Sequence, residues 1–90
     1  MDLAKKITFA DTVFAQEVDG EMVLLDMDSE NYFGLDETGS AIWQQLSETK
    51  SLQVTYDILI EEYDVEPAQL ENDIITFVQK LVDAGLVQVA

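Results

Sequence analysis

Carboxylates are the main side chains of this sequence that could do chemistry, since its 90 residues include 19 Asp and Glu but no Cys and no His. Thiolate nucleophiles, imidazole bases and the usual zinc or copper ligands are therefore excluded. Asp26, Asp28, Glu30 and Glu37 match positions one, three, five and twelve of an EF-hand calcium loop. Position six, however, is Asn31 where an EF-hand needs Gly, and the preceding segment is strand-like. We therefore expect no metal site.

Two further groups of residues are candidates for a modified or catalytic site. Asp28-Ser29 is the dipeptide at which an acyl carrier protein would hold phosphopantetheine, but a strand-like aromatic pair follows it instead of a helix. Glu61, Glu62 and Asp64 form an acidic cluster without a nucleophile or a metal-ligand set, and such clusters are usually solvated surface. The sequence therefore predicts neither an enzyme nor a protein that carries a cofactor.

The charge of the chain argues against several classes of partner. The net charge is -15, and the four basic residues are all lysines. Because nucleic-acid binding depends on neutralising phosphates with cations, we expect no nucleic-acid partner, and the same charge repels anionic lipid. No apolar run is long enough for a signal peptide or a transmembrane helix, so we expect a cytoplasmic protein without membrane contact.

The first third of the sequence predicts a three-stranded antiparallel sheet. Asp19-Gly20 is a typical hairpin turn, and it separates strands predicted at Phe14 to Val18 and at Met22 to Met27. A second polar turn, Asp28 to Asn31, precedes a short third strand from Tyr32 to Leu35. The first and third strands would be the edges of this meander, and an open edge is a template for an added strand.

The remainder predicts three helices and a short closing strand. Asp36 is a good N-cap for a first helix that extends to about Ser47, and Ser51 can cap a second helix. Pro67 suits the first turn of a third helix, which Gly85 would end, and the apolar tail can add a strand. Strands followed by helices predict a single α+β domain over residues 1–90 with a winged-helix-like architecture.

Two adjacent aromatic residues in the third strand indicate a surface with a role beyond the core. Alternation along a strand directs Phe33 into the core with Leu35 and leaves Tyr32 facing away from the core. There Tyr32 either belongs to an interface or packs half-buried on a neighbouring strand. In the third helix a core-facing apolar stripe consists of Leu70, Ile74, Phe77, Val78 and Leu81. Ile75 and Val82 extend this apolar arc to roughly 180°, beyond what one small core needs. Either this flank of the helix packs on the sheet, or it forms one wall of a groove beside the third strand.

Three segments of the sequence resemble the coenzyme PQQ synthesis protein D (PqqD) family. They are VLLDMDSENYFGLDETGSAIWQQL, EEYDVEP and FVQKLVDAGLV, and the resemblance extends over about residues 13–87. Its most specific parts are YFGLDETGSAIW and the series Phe77, Leu81, Gly85 and Leu86. Where the family often has Leu-Asn before the first helix, this chain has Leu35-Asp36, which preserves the cap. The resemblance implies a winged-helix-like protein that binds the leader segment of a ribosomally made precursor peptide, as in lasso-peptide or PQQ pathways.

The resemblance also implies a binding mode in which the leader adds to the third strand and lies against the third helix. Backbone groups of Asn31 to Gly34 would hold the leader, apolar side chains would select its anchors, and acidic residues would favour Lys or Arg in it. The expected peptide-binding residues are Glu30, Asn31, Tyr32, Phe33, Gly34, Asp73, Ile75, Val78, Gln79 and Val82. The expected partners are the leader peptide and a separate maturation enzyme, either a protease, a cyclase or a radical enzyme.

An interaction or assembly module of the same fold is the alternative interpretation. In that case the open edge of the sheet would pair with another protein or with a second copy of the chain, including in a domain-swapped dimer. Neither the peptide product nor the oligomeric state follows from the sequence.

Overall fold

Five strands and three helices make up the part of the chain that the computed structural model describes, residues 2–28 and 30–89. Ser29, the candidate for phosphopantetheine attachment, lies outside these ranges. In chain order the elements are β1 (Ile7–Phe9), β2 (Val13–Val18), β3 (Glu21–Asp26), β4 (Asn31–Leu35), α1 (Glu37–Thr49), α2 (Leu52–Glu62), α3 (Pro67–Asp83) and β5 (Val87–Val89). The predicted order of a three-stranded antiparallel sheet followed by three helices is confirmed.

The central sheet is the predicted meander, with strand order β2-β3-β4 and antiparallel pairing throughout. Asp19 and Gly20 form the two-residue turn between β2 and β3, and both have positive φ, 53° and 83°. Two successive residues with positive φ match the twist of a hairpin, which explains why an Asp-Gly pair occupies this turn. The turn sets the register of the sheet, in which Val18 lies opposite Glu21.

A second, smaller sheet joins the two ends of the described chain. β1 pairs antiparallel with β5, with Ile7 opposite Val89 and Phe9 opposite Val87. The predicted closing strand is confirmed, whereas its partner β1 was not predicted, because a three-residue strand has too little pattern to identify. Phe9 also packs edge-on against Trp43 of α1, with 4.9 Å between ring centroids. These contacts fix the N-terminal segment against the helices.

The helices begin where the sequence predicts. The Asp36 carboxylate accepts a hydrogen bond of 2.7 Å from the Gly39 N–H at the start of α1, and Ser51 caps α2 through Val54 N–H. Pro67 is in the first turn of α3, whose N-cap residue Glu66 forms no side-chain capping bond. The first helix extends to Thr49, slightly beyond its predicted end.

A single apolar core lies between the helices and one face of the central sheet. Its largest fully buried apolar side chains belong to β3, the three helices and the residue just before β5: Leu24, Ile42, Leu46, Leu52, Ile74, Val78 and Leu86. β4 contributes Phe33 and Leu35 as half-buried residues at the margin of this core. Within the described ranges, no helix combines the length and hydropathy needed to cross a membrane.

Candidate functional site

The backbone of β4 has an open hydrogen-bonding edge, because β4 is the last strand of the central sheet. Met27 N–H donates to the Thr12 carbonyl at 2.9 Å, which continues the ladder between β2 and β3 by one pair. Hydrogen-bonded pairs alternate along antiparallel strands, so Met22, Leu24 and Asp26 direct their backbone groups toward β4.

The same alternation determines which backbone groups of β4 are free. Asn31, Phe33 and Leu35 lie opposite the three β3 residues that face β4, and they complete the hydrogen-bonded pairs. The N–H and C=O groups of Tyr32 and Gly34 therefore point away from the sheet, toward the open edge. An extended peptide can bond to these four groups, which recur every second residue as strand addition requires.

The side chains of β4 follow the predicted alternation. Phe33 and Leu35 are half-buried against the core, and Tyr32 is 75% exposed on the opposite face of the sheet. The inward position of Phe33 and the outward position of Tyr32 are thus confirmed. Consequently the side chain of Phe33, and not that of Tyr32, faces the space between β4 and α3.

An open groove of about 530 Å³ lies between β4 and α3. Its apolar wall comes from Phe33 on one side and Phe77 and Leu81 on the other. We call this space the β4–α3 groove, and its lining residues are Phe33, Gly34, Leu35, Asp36, Gly39, Phe77, Lys80, Leu81, Asp83 and Ala84. The volume falls in the range of pockets that hold small ligands, and it suits one or two large apolar side chains of a peptide.

The flank of α3 that faces β4 is not the one that the sequence analysis selected. At 3.6 residues per turn, Ile75 and Val82 lie about 160° and 140° around the helix from Phe77, and Gln79 lies about 160° from it. None of the three lines the β4–α3 groove. Ile75 and Val82 instead pack against the core as half-buried residues. The wall of the groove on the α3 side is therefore made by Phe77 and Leu81, while Ile75, Gln79 and Val82 lie elsewhere on α3.

Val78 is also misplaced in the predicted site. Its side chain has no exposed surface, and it belongs to the core with Ile74 and Leu81. A residue buried in this way offers no contact surface to a ligand. The sequence analysis placed Val78 both in the core-facing stripe of α3 and among the peptide-binding residues. In the structure it lies in the core.

Asp73 lies beside the groove, whereas Glu30 does not. A smaller cavity of about 270 Å³ continues the β4–α3 groove toward the start of α3, and Asp73 lines it together with Phe77 and Lys80. The Asp73 carboxylate accepts a hydrogen bond of 2.8 Å from Gln69. Glu30 is exposed in the turn before β4, with a φ of 61°, and it lines none of these cavities.

Gly34 is a glycine that the fold itself does not require. Its φ is outside the positive range, and a Cβ built on it would meet no atom within 4 Å. Glycine weakens a strand, and within a strand it often marks a place where a ligand or another backbone approaches closely. The absence of a side chain at this position is therefore consistent with a contact made by something outside the chain.

The groove combines an apolar wall with few charged residues. Its charged lining residues are Asp36, which caps α1, together with Asp83 and Lys80. Among the residues that the structure describes, no three acidic side chains are grouped so that they could hold a metal ion. An apolar wall beside an open strand edge is the arrangement that recognises extended peptides.

The sequence contained a signal for the missed residues Phe77 and Leu81. Both belong to the apolar stripe of α3, and both are in the series that carries the family resemblance. Their use at the groove depends on how α3 is rotated against β4, which periodicity alone does not specify.

Comparisons with known proteins connect this geometry to a family. The model of the coenzyme PQQ synthesis protein D (PqqD) family matches residues 21–87. Among solved structures, TbiB1 in complex with the TbiA(beta) leader peptide is 34% identical over 90% of this chain and 94% of that chain, with a TM-score of 0.82. Lasso peptide synthetase B1 complexed with the leader peptide is 30% identical over 92% of this chain and 98% of that one, also with a TM-score of 0.82. No curated protein matches the chain.

Proposed function

Because the chain belongs to the PqqD family, we propose that it is a non-catalytic adaptor that binds the leader segment of a ribosomally made precursor peptide. In this proposal the leader adds as a strand to β4, and the adaptor delivers the precursor to a separate maturation enzyme in the cytoplasm. The open edge of β4 beside the apolar β4–α3 groove is the observation that carries the proposal. The two similar structures, both solved with leader peptides, support it.

Backbone hydrogen bonds provide the first part of the binding energy. The leader bonds to the outward N–H and C=O groups of Tyr32 and Gly34, and its strand extends the meander to four strands. This part of the interaction is independent of the leader sequence, since every residue except proline offers the same backbone groups. It fixes the register of the leader on β4.

Side chains provide the specificity. The leader residue opposite Phe33 lies on the inner face of the sheet and enters the β4–α3 groove, where Phe77 and Leu81 form the opposite wall. Its two neighbours lie on the other face, beside Tyr32 and Gly34. We therefore expect a leader with a large apolar residue at the groove position and alternating faces around it.

The adaptor delivers the precursor to the enzyme by tethering it through the leader. A leader held by the adaptor keeps the attached core peptide near the maturation enzyme, which raises its effective concentration without any chemistry by the adaptor. Release after processing requires moderate affinity, and we expect a dissociation constant between micromolar and nanomolar, about -8 to -12 kcal/mol.

A set of backbone-methylated leaders tests strand addition directly. A fluorescently labelled synthetic leader, taken from the precursor gene nearest to the gene of this chain, is titrated into the purified protein. Variants with one N-methylated amide are then compared position by position. Strand addition predicts that methylation weakens binding at alternate positions, which match the spacing of Tyr32 and Gly34.

Two results would contradict the proposal. Absence of saturable binding by the folded protein would leave the likeness to leader-binding proteins as one of fold only. Binding that is equally sensitive to methylation at consecutive positions would retain the leader as ligand but remove strand addition as its mode.

A further inference from the structure

The side of the central sheet that faces away from the core has an exposed apolar surface. Phe14, Leu25 and Tyr32 lie directly opposite one another across β2, β3 and β4, and Val18 and Val23 share their face by alternation. We call these five apolar residues the outer face; the polar Gln16 and Glu21 lie on the same side of the sheet, opposite Val23 and Val18. Tyr32 is 75% exposed, Phe14 54% and Val18 50%. Three of the seven large apolar residues that are most exposed in the described chain thus belong to one sheet face.

The outer face does not pack against the core of the fold. The core cluster and the residues packed against it include Met22, Leu24 and Phe33 from the other face of the sheet, but no outer-face residue. A half-solvated antiparallel sheet normally has polar side chains on its exposed face. An aromatic and aliphatic row at these positions therefore indicates an interaction surface.

The charge around the outer face determines which kind of partner fits it. Exposed carboxylates lie at the two ends of the sheet: those of Asp19, Asp28 and Glu30 in the hairpin turns and that of Glu21 at the start of β3. No Lys or Arg occurs between Lys6 and Lys50, so no strand of this sheet has a positive charge. A second copy of the chain would present the same acidic rim, and anionic lipid would be repelled, whereas a basic protein would be attracted.

The outer face is continuous with the proposed leader site, since Tyr32 belongs to both. A leader strand added to β4 places every second side chain on the outer face, next to Tyr32 and Gly34. A partner that docks on this face would contact the sheet and the bound leader together. Such a partner would therefore make more contacts with an adaptor that holds a leader than with one that does not.

We propose that the outer face is the docking surface for the maturation enzyme, and that a bound leader strand completes this surface. The inference rests on the proposed function. The enzyme presents an apolar patch to Phe14, Leu25 and Tyr32 and Lys or Arg to the acidic rim. Since the leader contributes to the interface, leader and enzyme raise each other's affinity for the adaptor by the same factor.

The test uses the purified maturation enzyme of the same pathway, immobilised, and the full-length adaptor in solution. Phe14→Glu places a charge on the outer face at β2, two strands away from the leader edge. We expect its affinity for the enzyme to fall by about 10-fold or more, since it buries an unpaired charge at the interface. Affinity for labelled leader, measured by anisotropy, stays within about twofold because the β4–α3 groove is unchanged.

Val54→Glu is the matched control, because Val54 is a similarly exposed apolar residue, 42%, on α2. It adds the same charge away from the sheet and leaves the affinity for the enzyme unchanged. Val18→Glu, also on the outer face, should reproduce the loss and guards against a local effect of Phe14→Glu on the fold. Saturating leader raises the affinity of the wild-type adaptor for the enzyme by at least about threefold, which Phe14→Glu abolishes.

Each contrary result has a distinct meaning. Unchanged enzyme affinity in Phe14→Glu and Val18→Glu, or an equal loss in Val54→Glu, overturns the docking surface while leaving leader binding intact. A dimer in light scattering that Phe14→Glu disrupts would assign the outer face to a second copy and overturn the enzyme as its occupant. Enzyme affinity that is independent of leader overturns the shared interface. Failure of the wild-type adaptor to bind leader in the anisotropy titration contradicts the proposed function itself.

Discussion

Two clefts of nearly equal volume adjoin the central sheet, and they differ in chemistry. The β4–α3 groove, about 530 Å³, has Phe33, Phe77 and Leu81 in its wall. The second cleft, about 550 Å³, lies between the β2–β3 hairpin and α1 and is lined by several carboxylates: Glu17, Glu21, Asp36 and Glu37. The apolar wall, and not the volume, therefore distinguishes the two clefts.

The two open edges of the central sheet also differ in the side chains that they carry. By the alternation that leaves Tyr32 and Gly34 free on β4, Val13, Ala15 and Glu17 point their backbone groups outward from β2. Ala15 and Glu17 are exposed, and a charged side chain on an edge strand discourages strand addition. The β4 edge has a glycine and an aromatic residue instead. Strand addition is favoured where a wall beside an unpaired edge can hold side chains, and of the two edges of the central sheet only β4 has an apolar wall.

The largest effect should come from the wall of the groove. Phe77→Ala removes a side chain that the leader would bury, so the dissociation constant for leader should rise about 10- to 100-fold. Labelled leader in an anisotropy titration measures the change, and the fluorescence of Trp43, the single tryptophan, verifies that the fold persists.

Ile75→Ala is the control for the opposite flank of α3. Ile75 is half-buried, so its truncation should lower stability but leave leader affinity within about twofold. If Ile75→Ala instead weakened the leader as much as Phe77→Ala, the assignment of the binding flank to Phe77 would be wrong.

A smaller effect should come from Gly34, where binding and stability are expected to change in opposite directions. Gly34→Val fills the open space on β4 that a leader side chain would cover, so leader affinity should fall about 10-fold. The free energy of unfolding should stay constant or increase by up to about 1 kcal/mol, because Val is the better strand former. Thermal unfolding followed by circular dichroism measures the second quantity.

Ala15→Val makes the matching change at the β2 edge. It should leave leader affinity unchanged, since β2 has no apolar groove beside it. Equal losses from the two valine substitutions would mean that the leader does not discriminate between the edges.

Asp36→Ala should affect the stability of the fold more than the recognition of the leader. The Asp36 carboxylate caps α1 and thereby joins the end of β4 to the first turn of that helix. Its loss should cost about 1 kcal/mol of unfolding free energy, or about 4 to 8 °C in Tm for a domain of this size. Glu17→Ala, at the other edge, should change stability by less than about 0.5 kcal/mol. A similar loss in both variants, measured by chemical denaturation, would contradict the structural role of the cap.

The smallest effect should be electrostatic. Asp73 lies beside the groove, so Asp73→Asn should weaken a leader that carries Lys or Arg by about twofold at low salt, mainly through the association rate. The difference should vanish at about 1 M salt, where the Debye length is near 3 Å. Glu17→Gln removes a charge of the same sign from the acidic cleft and should have no such effect on stopped-flow association rates. A salt-independent effect of Asp73→Asn would indicate a direct contact.

Much of the fold was predictable because its signals are local. The Asp19-Gly20 turn, the caps Asp36 and Ser51, and Pro67 each specify the backbone of neighbouring residues through short-range geometry. The strand β1 escaped prediction because its three residues are stabilised by pairing with β5, about eighty positions away in the sequence.

The site was only partly predictable. The inward Phe33 and the outward Tyr32 follow from the period of two along a strand, and the structure confirms both orientations. The face of α3 that borders β4 does not follow from the helical period of 3.6 residues. Either flank of an apolar arc of roughly 180° could pack beside β4. The sequence analysis therefore selected Ile75 and Val82 where the structure has Phe77.

The sequence by itself determined the class of this protein. The chain is acidic and lacks Cys and His, and it has a hairpin, capped helices and a strand whose two adjacent aromatic residues face opposite sides. Those properties depend on composition and on contacts between near neighbours. The tertiary structure decided which edge of the sheet borders an apolar wall, how α3 is rotated, and that Phe14 shares a face with Tyr32. These features depend on packing between elements that are distant along the chain, where many arrangements satisfy the same local pattern.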